Sequence, residues 1–371
     1  MKVSIFSIFL AVTSASTFFH ALTYNQSKDD GSCNTPDQVQ KELDILKKYT
    51  GIVYSVGTAH CNQAEMIIEA IKKSPGLFMY LGIWFANDVD FNNELEAIKK
   101  LHSKYGLGKY VKTIVVGNYP ISSKVSTVKD LVKKINTVED FLVEEKLDEI
   151  EITVSDDWEI YDKRLVKAVD YITFSSFPYN LKVDYKNATN YLFEKLNKLK
   201  EKSRGKKVVF GQIGWPTSGD VGLFKGASVQ NSQFFMNEFV CRTKSEGVDN
   251  TWFSAVDAPW MVANEYVKYE GSFGILERDR SSPKYKGEDW YNCKNETPEA
   301  VLKSTPKITQ EAIDDQSGIE PKTEEKSDVE KAISPVEIAK DKPDNVQDKF
   351  ESVKEKKEAP SNECYSAKNS Y

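Results

Sequence analysis

The stretch Val208-Val209-Phe210-Gly211-Gln212-Ile213-Gly214-Trp215-Pro216-Thr217-Ser218-Gly219 is an apolar run that enters a Gly/Pro turn. A short β-branched and aromatic run bounded by glycine and proline reads as a buried strand that stops abruptly. Gln212 therefore stands where a strand reaches its C-terminal end. An amide there hydrogen-bonds but carries no anionic oxygen.

Working outward, the pattern of this stretch recurs. Short β-branched or aromatic runs fall at 22–24, 51–56, 77–85, 112–117, 149–154, 171–175, 207–211 and 251–256. Between them lie charged segments with helical period at 35–48, 62–73, 91–105, 125–145, 161–168, 189–203 and 229–246. Thr35 or Asn34, Thr127 and Thr189 are expected to cap three of these helices. Strands alternating with helices over this length predict an α/β fold, a closed (β/α)8 TIM barrel. The competing arrangement, an open doubly wound sheet, wants a Gly-rich phosphate turn after an early strand, and the sequence has none.

The two ends read differently. Lys2, the apolar run 3–12 and the small residues Thr13, Ser14, Ala15 and Ser16 form a secretory leader, assigned to 1–21, and too short to span a membrane. From Lys294 to Lys349 there is no aromatic residue, and Lys, Glu, Asp and Pro dominate. Such a segment buries too little apolar surface to offset its ordering entropy, so 294–371 is expected to be a disordered tail. The folded domain is then 22–293.

Export carries expectations about covalent chemistry. Asn25, Asn187 and Asn295 each open an Asn-X-Ser/Thr glycosylation triplet. Five cysteines in an oxidising compartment imply disulfides. Placement favours Cys33–Cys61 and Cys241–Cys293, although spacing alone leaves connectivity open. Cys364 remains, free or joined to another molecule. A net charge of −6 argues against a nucleic-acid partner. With three histidines and no Cys-X-X-Cys, no metal is expected, and no cofactor is implied.

In a TIM barrel the working residues project from the C-terminal ends of the strands. Those ends here carry Asn118 and Tyr119, Trp158, Tyr179, Gln212 and Trp215, and Asp257 and Trp260. Flat apolar faces beside hydrogen-bonding edges suit a sugar ring. These eight are the candidate sugar-binding residues.

Particular motifs sharpen the reading. Asp29-Asp30-Gly31-Ser32-Cys33, Gly57-Thr58-Ala59-His60-Cys61-Asn62-Gln63, Val116-Gly117-Asn118, the 211–217 turn, Phe253-Ser254-Ala255-Val256-Asp257-Ala258-Pro259-Trp260 and 273–285 resemble the fungal branch of glycoside hydrolase family 17. The resemblance covers about 22–293 and implies a (β/α)8 barrel that acts on β-1,3-glucan in the fungal cell wall. It also implies departures. The family's acid/base Glu follows the Val-Gly-Asn of the fourth strand, where this chain has Tyr119. Its nucleophile Glu lies in the seventh-strand turn, where this chain has Gln212. Ser254, Ala258 and Met261 replace further Glu and Lys positions, and His60 replaces an Asp.

Retaining hydrolysis needs two carboxyl groups about 5 Å apart, one as proton donor and one as nucleophile. A phenol titrates near roughly 10, far from what a general acid requires, and an amide forms no glycosyl ester. The resemblance therefore implies a secreted wall protein that binds β-1,3-glucan, or another wall polysaccharide, without cleaving it. Two alternatives stand beside it: hydrolysis or transglycosylation by other carboxylates such as Asp156 or Asp257, and a structural wall protein that works through Cys364 and the tail.

Overall fold

The computed structural model describes residues 17–220, 224–262, 265–287, 290, 291 and 293. Most of the expected leader and the charged tail, with Asn295 and Cys364, lie outside the described residues. Eight strands form one parallel sheet: β1 (Ala21–Thr23), β2 (Ile52–Ser55), β3 (Phe78–Ile83), β4 (Val111–Asn118), β5 (Glu151–Ser155), β6 (Ile172–Ser176), β7 (Val208–Ile213) and β8 (Thr251–Trp252). The order β5-β4-β3-β2-β1-β8-β7-β6 brings the first strand against the last and curls the sheet into a nearly closed barrel. Helices α1 (Pro36–Leu46), α2 (Gln63–Lys73), α3 (Asp88–Tyr105), α4 (Val128–Glu144), α5 (Lys163–Ala168), α6 (Ala188–Lys202) and α7 (Val229–Ser245) occupy the connections. This is the expected (β/α)8 barrel.

Local chemistry explains most boundaries. Thr35 accepts from the Gln38 amide at 3.3 Å, while Gln38 accepts from the Thr35 N–H at 2.9 Å, a reciprocal cap with Pro36 behind it. Thr127 caps α4 in the expected way. Thr189 does not cap α6. The helix starts one residue earlier, and Thr189 is fully buried in its first turn. Strand β8 is shorter than its apolar run predicts and ends at Trp252.

The folded body also starts earlier than Leu22. Phe18, Phe19 and Ala21 are buried, Phe19 bridges to Thr50, and Ala21 pairs with Thr251. Phe18, Phe19 and Ala21 therefore belong to the barrel wall.

The barrel has two interiors of opposite character. Between strands and helices the packing is aromatic: Phe210 touches Phe174, Phe193 and Phe239, and Trp252 packs on Phe19 and Phe235. Inside the strands it is hydroxylic. Thr153 pairs with Thr173 at 2.9 Å and Ser155 with Ser175 at 3.0 Å across the seam between β5 and β6. The Ser175 amide donates to the Asp156 carbonyl at 2.9 Å, and the Asp170 amide to the Ile152 carbonyl at 2.8 Å. At the N-terminal end His20 bridges Asp249 and Tyr80 at 3.0 and 2.8 Å. That end holds a cavity of about 40 Å³, bordered by Glu151 and Lys207 and reaching up to Gln212.

Both preferred disulfides are present, Cys33–Cys61 and Cys241–Cys293. A buried ion pair adds a third long-range tie. Arg280 donates to Glu42 at 2.6 and 3.1 Å and to the carbonyls of Asn25 and Ser27, while Tyr24 and Asn34 donate to the same carboxylate. Removing one partner of such a pair leaves the other charge buried. Arg280→Ala should lower the unfolding free energy by about 3–5 kcal/mol, read by denaturant titration. A loss below about 1 kcal/mol would mean that solvent already screens Glu42.

Candidate functional site

The mouth of the barrel is built from the strand ends that the 208–219 stretch singled out. At the end of β4 the chain turns sharply: Gly117 has φ 91° and Tyr119 has φ 52°. A non-glycine residue in the left-handed region is uncommon and needs outside support. Tyr119 has it, because its amide donates to the Ser155 carbonyl at 2.7 Å and its carbonyl accepts from Ser123 at 3.0 Å. Asn118 is half-buried beside it, its Oδ1 buried and without a hydrogen bond among the described residues.

Across the barrel, Gln212 lies in register with Thr251 and is 2 % exposed. Its backbone N–H donates to the Ser175 hydroxyl at 3.0 Å. Its side-chain Nε2 is buried with no hydrogen-bond partner among the described residues. Gly214, two residues on, is required by close approach: a Cβ there would stand 2.2 Å from the Phe253 carbonyl oxygen.

The structure redistributes the eight expected contacts. Trp215 is fully buried, donates to the Gly226 carbonyl at 2.9 Å and packs on Phe235, so it offers no face to a ligand. Tyr179 is buried among Trp215, Phe224 and Tyr269. Trp158 is turned toward α6, where Lys195 and Lys202 lie over its ring at 5.4 and 5.1 Å. Asp257 is committed as well: it accepts from Lys284 at 2.6 and 2.7 Å and from the Gly274 amide at 2.8 Å. Trp215 and Tyr179 are thus packed in the wall, whereas Trp158 and Asp257 are half-buried and engaged by lysines. Trp260 is 37 % exposed, and it remains a candidate face with Asn118, Tyr119 and Gln212 around the mouth.

Of the two acids at the end of β5, Asp157 is half-buried and Asp156 is fully buried. It accepts from the Ile121 and Asp157 amides at 2.8 and 2.7 Å and closely from the Ser122 hydroxyl. Burial pushes its carboxyl upward, against the pull of those donors. Its function is to hold the turn that carries Tyr119.

Several features escaped the sequence reading. The rings of Phe177, Phe253 and Phe273 meet edge to face with centroids 5.2–5.4 Å apart, and the Tyr119 ring leans on Phe177 at 6.3 Å. Each was visible as an aromatic, but their convergence comes only from folding. Lys284 donates to both Asp257 and Thr217, tying the β8 end to the β7 turn. Glu94 on α3 accepts from the Thr58 and Ala59 amides at 2.6 and 3.1 Å, which fixes the loop after β2. The Asn25 triplet is drawn into the fold, since its Oδ1 accepts from the Ser27 amide at 2.8 Å and Ser27 is buried. Asn187 stays half-buried at the start of α6.

Residues 21–274 match the family described as BtgE/BtgC glycoside hydrolase domain. The chain is 27% identical over 264 residues to the glucan 1,3-beta-glucosidase of Schizosaccharomyces pombe, covering 68% of this chain and 81% of that one. It is 28% identical over 311 residues to the glucan 1,3-beta-glucosidase of Arthroderma benhamiae, covering 78% and 98%. Among solved structures, the glycoside hydrolase family 17 beta-1,3-glucanosyltransferase from Rhizomucor miehei aligns with TM-score 0.65 at 26% identity, over 72% of this chain and 96% of that one.

The Glu94 carboxyl is raised to about 7 by burial, with the Ala59 and Thr58 amides pulling the other way. A raised carboxyl favours the protonated form in the fold, so its contribution is complete below about pH 4.5 and is lost as pH rises through about 7. Unfolding free energy should therefore fall across that window by roughly 3 kcal/mol from this group. Glu94→Gln should flatten the fall, read as the difference between the two proteins' denaturation midpoints at pH 4.5 and 7.5. An unchanged pH slope in the variant would place the titration elsewhere.

Proposed function

The chain belongs to the BtgE/BtgC glycoside hydrolase family, and on that premise we propose that it is a secreted, wall-associated barrel that binds β-1,3-glucan and does not hydrolyse it. The observation that carries the reading is the state of the strand ends. The two positions the family resemblance assigns to carboxylates hold Tyr119 and Gln212. Two acids at neighbouring strand ends, Asp156 and Asp257, are engaged by backbone amides, a hydroxyl and Lys284.

The chemistry of Gln212 fits this reading. A carboxylate buried as Gln212 is, with no cation paired to it among the described residues, would carry a desolvation cost that an amide avoids. An amide also keeps hydrogen bonds to a sugar hydroxyl while offering no nucleophile. The exposed Trp260 supplies an apolar face of the kind on which a glucose ring stacks. Relatives named as glucan 1,3-beta-glucosidases and a beta-1,3-glucanosyltransferase support β-1,3-glucan as the ligand.

Export completes the proposal. The leader is cleaved upstream of Phe18, because Phe18 and Phe19 are wall residues. N-terminal sequencing of the secreted protein is expected to start before Phe18, and a start after Ala21 would contradict this.

Purified protein should bind laminarin-type oligosaccharides saturably in calorimetry and release no reducing sugar from them. Trp260→Ala should weaken binding by roughly tenfold while leaving the thermal midpoint unchanged. Absence of saturable binding would sink the binding half of the proposal. Product release that Gln212→Ala abolishes would sink the other half. Release that is instead lost in Asp156→Asn or Asp257→Asn would favour the alternative hydrolase.

A further inference from the structure

We propose that the Cys33–Cys61 disulfide is a thiol-exchange site, in which a low-molecular-weight thiol attacks Cys33 and His60 receives the departing Cys61 sulfur. The bond joins the loop between β1 and α1 to the loop between β2 and α2. Cys33 is exposed and Cys61 is partly so. His60, itself exposed, places its Nε2 3.3 Å from the Cys61 Sγ.

The asymmetry assigns the roles. An incoming thiolate must approach a sulfur from solvent, roughly in line with the bond that breaks, and Cys33 is the open end. The incoming thiolate's lone pair forms the new S–S bond at Cys33, and the electron pair of the broken bond moves to Cys61 Sγ. An imidazole within hydrogen-bond reach donates its N–H to that thiolate, which lowers the basicity of the leaving group and speeds exchange. The products are a Cys33 mixed disulfide and a Cys61 thiolate. A second thiol then attacks the thiol-derived sulfur, releasing a low-molecular-weight disulfide and the Cys33 thiolate, so two external thiols are oxidised as one cystine is reduced.

Backbone geometry points the same way. Cys61 and the following Asn62 have φ values of 55° and 50°, both in the left-handed region that non-glycine residues rarely occupy. Opening the bond frees that pair to relax toward an ordinary conformation. The other disulfide lacks these features: Cys241 is 5 % exposed on α7, inside the helical jacket. Cys293 at its far end is partly buried.

The test uses the full chain carrying Cys364→Ser, so that the remaining thiol does not compete. It is incubated with reduced glutathione, quenched with acid, alkylated and mapped by peptide mass spectrometry. A glutathione adduct should accumulate on Cys33 at least about tenfold faster than the Cys241–Cys293 bond opens. His60→Asp, which sets a carboxylate beside the leaving sulfur, should slow adduct formation by about tenfold, and His60→Gln should fall between. Both variants alter an exposed side chain, and a circular dichroism spectrum matching the parent confirms that they fold. Equal opening rates at the two disulfides would overturn the proposal. So would His60 variants that react like the parent, or an adduct that forms first on Cys61.

Discussion

The barrel depends on closing its sheet at two short joins. Between β1 and β8 the ladder is only two residue pairs long, Ala21 with Thr251 and Leu22 with Trp252. Between β5 and β6 hydroxyl pairs from Thr153, Thr173, Ser155 and Ser175 supplement a few backbone bonds. Small hydroxylic side chains serve there because each satisfies its neighbour's polar atom. Everything at the mouth inherits this closure: Ser175 holds the Gln212 backbone, and the Ser155 carbonyl holds the Tyr119 turn.

A second constraint is the way charge is handled at the strand ends. Asp156, Asp257 and Glu94 are each surrounded by donors that belong to loops, so each works as a fastener. The Phe177, Phe253 and Phe273 rings fill space between them. A mouth arranged this way positions Trp260, Asn118 and Tyr119 against a rigid background. With Asp156 and Asp257 engaged in this way, the proposed function rests on recognition.

The alternation of apolar runs and charged helical segments made the fold legible before any coordinates, because a (β/α)8 barrel is periodic in both sequence and space. Boundaries were less legible where tertiary contacts override local preference. Thr189 looks like a cap but is swallowed by the first turn of α6, and the β8 run is cut short after Trp252. The site was half legible. Position at a strand end identified which aromatics cluster near the mouth, but not which way they face. Trp215, Tyr179 and Trp158 turned toward the wall or toward α6, since a large ring gains more from burial in the jacket than from exposure at the rim. Asp257 was hidden because its partner, Lys284, lies far along the chain.

The order in which the chain is made gives the β1–β8 join a consequence beyond stability. On a ribosome, Phe18, Phe19 and β1 emerge first, yet β1 meets β8 only after nearly the whole barrel has been synthesised. Arg280, which locks Glu42, arrives later still. Until then the first strand presents an unpaired edge, the kind of surface that recruits other strands. Vectorial synthesis therefore leaves the barrel open for most of its production, and its earliest residues wait longest for their partners.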